Sequence, residues 1–102
     1  MTDEARRRIE NVVDELAARW HVGEHLQANR AAVVHMYEVS GVTLDAFLTL
    51  AAGAYAATAG RVPLPHAPMR FFLARLCDAV VNYHATMAAL AEAERQMLGR
   101  LG

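Results

Sequence analysis

Met69, Leu73, Leu76, Val80, Tyr83, Met87, Leu90, Met97 and Leu101 follow one another at spacings of four and three, broken once, at Glu94. That spacing keeps one stripe of an α-helix apolar over many turns and marks the seam by which a helix packs on another helix. Pro68 suits the first turn, where its missing N–H is not needed. At 1.5 Å per residue the rod from 68 to 101 is about 50 Å long, whereas a compact domain of about 100 residues has a radius of gyration of about 13 Å. The far end of this helix is therefore expected to outrun the rest of the chain. Tyr83, Met87, Leu90, Met97 and Leu101 are then an oligomer interface, most simply an antiparallel or crossed dimer, with a neighbouring protein as the second choice.

Three shorter helices are expected before it. The first covers residues 3–20, with Ile9, Val12, Val13, Leu16, Ala17 and Trp20 on one stripe, Thr2 or Asp3 as cap, and Asp3 and Glu4 at the positive end of the helix dipole. The second covers 24–39, buries Leu26, Val33, Val34 and Tyr37, and stops at Ser40-Gly41, where glycine can turn left-handed. The third is capped by Thr43 and carries Leu44, Phe47, Leu48, Ala51, Tyr55 and Thr58 as far as Gly60. Small residues around Gly53 suggest close approach by a neighbouring helix. Residues 61–68 hold all three prolines and form a linker. No stretch alternates polar with β-branched residues, so the expected fold is all-α: a four-helix bundle with a long C-terminal helix in a single domain of 102 residues. Its core should contain Trp20, Leu26, Val33, Tyr37, Phe47, Leu48, Phe72, Leu76 and Val80.

The longest apolar run, residues 50–57, falls far short of the roughly 20 residues a membrane span needs. The charged start Met1-Thr-Asp-Glu-Ala-Arg-Arg-Arg is not followed by a secretory apolar region. A cytoplasmic chain without a membrane partner is expected. All ten basic residues are arginine and alanine is abundant, a usage typical of GC-rich bacteria.

Chemistry has few candidates. Cys77 is the only cysteine, which excludes an intrachain disulfide and a thiolate-rich metal site, and it is expected in the core. His21-Val-Gly-Glu-His25 matches the inverted zinc-peptidase pattern, but that pattern needs a continuous helix and Gly23 falls at a helix break, so solvated histidines are preferred to a metal site. Ser40, the only serine, belongs to a helix-terminating turn. Neither catalytic residues nor a cofactor are expected.

A net charge of −1 argues against bulk electrostatic capture of nucleic acid, so any contact must be local. Arg61, Arg70 and Arg75 fall in the acid-free window 58–77, and Arg30 can join them. Arginine forks bind phosphate in a bidentate manner and without reading base sequence. The cluster Arg6, Arg7 and Arg8 is partly neutralised by Asp3, Glu4 and Glu10.

Two segments also carry a family resemblance. Residues 29–61 contain Val39-Ser-Gly-Val-Thr43, a Phe47-bearing helix and Gly60-Arg61; residues 68–80 read Pro68-Met-Arg-Phe-Phe-Leu-Ala-Arg-Leu-Cys-Asp-Ala-Val. Together they resemble the small helical C-terminal domain of DnaD-like and phage or plasmid replication proteins, over roughly half the chain. The resemblance implies a part in DNA binding and assembly, with Arg61, Arg70 and Arg75 as the positions that would meet nucleic acid. The sequence departs from that pattern in its proline-rich linker and its longer last helix, and it has no room for the winged helix that accompanies such domains. It also looks like the small subunit of a CRISPR interference complex. A helical dimeric adaptor or regulator without nucleic-acid binding is the third alternative.

Overall fold

The computed structural model describes residues 1–61, 63–64 and 66–101, and contains four helices and no strand among them. Helix α1 spans Asp3–Arg19, α2 Leu26–Ser40, α3 Leu44–Ala59 and α4 Pro68–Leu101. The all-α class and the long last helix agree with the sequence. In the linker at 61–68, Val62 and Pro65 lie outside the described residues; the others before Pro68 are non-helical.

Local chemistry sets the boundaries. The hydroxyl of Thr2 accepts from the amide of Ala5 at 3.1 Å, and that of Thr43 from Ala46 at 3.2 Å, so each threonine satisfies an otherwise orphaned helix donor. Helix α2 ends where Gly41 turns left-handed at φ 71°. Ser40 closes the same end: its Oγ donates to the carbonyl of Tyr37 at 2.8 Å and accepts from the amide of Val42 at 3.3 Å.

Helix α1 packs on α2 and α3 on α4, while α2 also touches α4. All four contribute to one core of Ile9, Val13, Leu16, Ala17, Val33, Val34, Phe47, Ala51, Ala54, Met69, Phe72 and Leu76. Aromatic contacts tie the pairs together: Tyr37 of α2 meets Phe47 of α3 at a centroid distance of 5.2 Å, and Trp20, just past α1, meets Phe72 of α4 at 6.2 Å.

Four of the nine expected core residues, Val33, Phe47, Phe72 and Leu76, are fully buried. Trp20, Leu26, Tyr37 and Val80 pack against the core from its margin. Leu48 does not belong to it: one step beyond Phe47, it is turned by about 100° and lines a groove between α1 and α3 beside Val12, Ala51 and Tyr55. Gly53 also corrects an expectation, since it is exposed and a Cβ built there would meet nothing within 4 Å. Within the same small-residue stretch, Ala51 and Ala54 are the positions that are buried.

Candidate functional site

The four arginines singled out in the sequence occupy three settings. Arg30 of α2 faces α1, where its Nε and one terminal nitrogen donate to the two carboxylate oxygens of Asp14 at 2.6 and 2.7 Å. These hydrogen bonds hold the Asp14 carboxyl below its ordinary pKa against the opposing desolvation, and raise that of Arg30. The Arg30 fork is thus already filled by a carboxylate. Arg61 lies past the end of α3 with its guanidinium over the ring of Phe71, 4.9 Å from the centroid. Arg75 follows Phe71 by one turn of α4, so Arg61, Phe71 and Arg75 share a face. Arg70 is one residue earlier, turned by about 100°, and points its side of α4 toward a separate cleft. None of Arg61, Arg70 and Arg75 forms an ion pair among the described residues.

The second candidate surface is the distal half of α4. Met69, Phe72 and Leu76 are buried, Leu73, Val80 and Tyr83 are half-buried, and every residue from His84 to Leu101 is exposed. Met87 is 43% exposed and Leu101 79%, with Leu90 and Met97 between them. The body of α1–α3 ends where the seam still has about four turns to run. Its protrusion sets the dimensions of the molecule, 57 × 36 × 15 Å, and raises the radius of gyration to 16.3 Å. Leu98, also exposed, widens the stripe beside Met97. The four-three spacing misses it because it sits on the flank of the seam.

The His21-to-His25 segment is a turn and not a helix. Both histidines adopt left-handed backbone, at φ 54° and 61°, a conformation in which histidine is enriched among non-glycine residues. The zinc-peptidase arrangement, with both imidazoles on one helical face, is therefore not formed. Among the described residues no group of three or more His, Cys, Asp or Glu side chains is placed to hold a metal ion. His21 and His25 instead line a cleft with His66 and Arg70, contributed by the far end of the linker and the start of α4. Nothing in the local sequence announces that meeting, which joins segments some 40 residues apart. Cys77, expected in the core, is exposed. Leu76 is the buried residue of that turn, which leaves its neighbour facing outward.

No family model, curated protein or solved structure matches this chain. Among the described residues no helix is long and apolar enough to cross a membrane.

Proposed function

We propose that this protein is a non-enzymatic helical assembly module that self-associates through the distal half of α4 and takes its place in a nucleoprotein complex of the replication type. The observation that carries this is the exposed stripe Met87, Leu90, Met97, Leu98 and Leu101 on a helix that projects past its own core. Contiguous apolar surface of that extent usually marks an interaction site. The seam continues a helix already anchored in the core by Met69, Phe72 and Leu76, so its distal stripe is held in place for a partner face although none of the described residues covers it.

A second copy fits this stripe. An antiparallel pairing that sets Met87 opposite Met97 of the other copy also sets Tyr83 opposite Leu101 and Leu90 opposite Glu94. The methylenes of Glu94 then cover Leu90 while its carboxylate reaches the wet rim. Ala91 and Ala93 flank the seam and let the two backbones approach closely. Sedimentation equilibrium at micromolar concentration tests the assignment. The intact chain should sediment as a dimer, and a full-length variant carrying Met87→Gln, Leu90→Gln, Met97→Gln and Leu101→Gln as a monomer. A monomeric parent would remove the proposal.

Nucleic-acid backbone is the proposed partner of the Arg61–Phe71–Arg75 face. Phe71 holds the Arg61 guanidinium by a cation–π contact that leaves its edge available for phosphate. The nearest acid along α4 is Asp78, one turn beyond Arg75, so the charge of the face is local and its contacts are of the non-specific, salt-sensitive kind. A dimer without measurable binding to DNA or RNA would make the protein an adaptor.

A further inference from the structure

The cleft between the start of α2 and the start of α4 is used by neither surface above. It encloses about 610 Å³, and its polar lining consists of His21, Glu24, His25, Asn29, His66 and Arg70. Four of these six side chains carry or can acquire positive charge, one is acidic and one is a neutral amide. Arg70 and Glu24 form no ion pair with each other or with any described residue. The cluster is thus not a self-neutralising network, and an arginine with three imidazoles and an amide in one exposed concavity offers several hydrogen-bond donors to an anion. Two backbone features add to the side-chain set. Neither α2 nor α4 has an acidic residue in its first turn, and His25 makes no side-chain cap, whereas α1 and α3 have both a threonine cap and first-turn acids. The starts of α2 and α4 both border the same basic cleft, through His25 and Asn29 on one side and Met69 and Arg70 on the other.

We infer that this cleft is a binding site for a phosphate monoester, held by the Arg70 fork, the three imidazoles and the Asn29 amide. The planar guanidinium supplies two parallel donors to phosphate oxygens, and imidazole N–H groups supply single ones. A terminal phosphate presents three unbridged oxygens to donors that come from the turn after α1, the linker and the starts of α2 and α4, whereas a bridging phosphate presents only two. A free phosphomonoester and the 5′-phosphate at the end of a nucleic-acid strand share this chemistry. The inference does not depend on the α4 seam or on the Arg61–Phe71–Arg75 face.

The test is a titration of the full chain with inorganic phosphate at constant ionic strength, followed by the NMR signals of the histidine rings and backbone amides. Saturable shifts are expected at His21, His25, His66, Leu26, Met69 and Arg70, with a dissociation constant on the order of millimolar or tighter. Arg70→Gln, at an exposed position, should weaken binding by about tenfold or more, and His66→Gln by less. Shifts that stay linear in phosphate, are spread over the whole chain, or survive Arg70→Gln unchanged would overturn the assignment. Oligonucleotides with a 5′-phosphate or a 5′-hydroxyl then separate the sources: preference for the phosphorylated end identifies a strand terminus, and saturation by inorganic phosphate without that preference identifies a small phosphoester.

Discussion

The carboxylate of Asp14 grips the guanidinium of Arg30 through two bonds of 2.6 and 2.7 Å, so that the middle of α1 is tied to the first half of α2. Because Arg30 lowers the folded-state pKa of Asp14, the pair stabilises the protein fully above the ordinary carboxylate range and loses that effect as pH falls through the depressed value. Asp14→Asn should melt at a lower temperature than the parent at neutral pH, and the gap should narrow below about pH 4. Thermal melts of both proteins across acid pH check this. A gap that widens in acid would reverse the assigned role of the pair.

Phe47 and Leu76 are 1% and 0% exposed, in the middle of the shared core. Phe47→Ala should cost about 3–5 kcal/mol and Leu76→Ala about 2–5 kcal/mol in urea unfolding. Leu48→Ala should cost distinctly less than either, since that side chain lines an open groove. Equal losses at all three positions would mean that the groove is closed in solution.

Gly53 sits in the interior of α3 with open space where a Cβ would stand. Gly53→Ala removes backbone entropy from the unfolded chain without a clash, and should stabilise the protein by about 0.5–1 kcal/mol. Urea midpoints measure it. Destabilisation would instead place a partner helix against this position.

Arg61 and Arg75 share a face and form no ion pair among the described residues, whereas Arg30 is occupied by Asp14. The double variant Arg61→Ala, Arg75→Ala should weaken binding to a fluorescent oligonucleotide equally across base sequences and flatten the dependence on salt by about 2 in logarithmic slope for duplex DNA. Arg30→Ala should leave that slope unchanged. If Arg30 alone alters it, the phosphate-binding face lies on α2.

Glu94 interrupts the seam at a position that would face a second copy. A polar residue there limits register and oligomer size at some cost in stability. Glu94→Leu should therefore tighten self-association or admit higher oligomers, as read by sedimentation velocity. Weaker association would mean that Glu94 makes an attractive contact across the interface.

The ends of α1, α3 and α4 and the stop of α2 followed from the sequence because their determinants are local, whereas α2 begins at Leu26 and not at Glu24 because His25 turns left-handed. Threonine caps, the Ser40-Gly41 stop, the three prolines and the four-three spacing act through neighbours within a turn or two, and Thr2, Thr43, Gly41 and Pro68 all stand where those rules put them. Burial depended on which helix faced which. Phe47 and not Leu48, Leu76 and not Cys77, and Ala54 and not Gly53 entered the core, since a rotation of about 100° separates neighbours on a helix and only packing fixes the rotation. The same holds for charge. Arg30 and Arg70 look alike in sequence, but α1 brings Asp14 to the first, and the turn after α1 brings His21 and His25 to the second. Those encounters join segments distant along the chain, and no local rule encodes them.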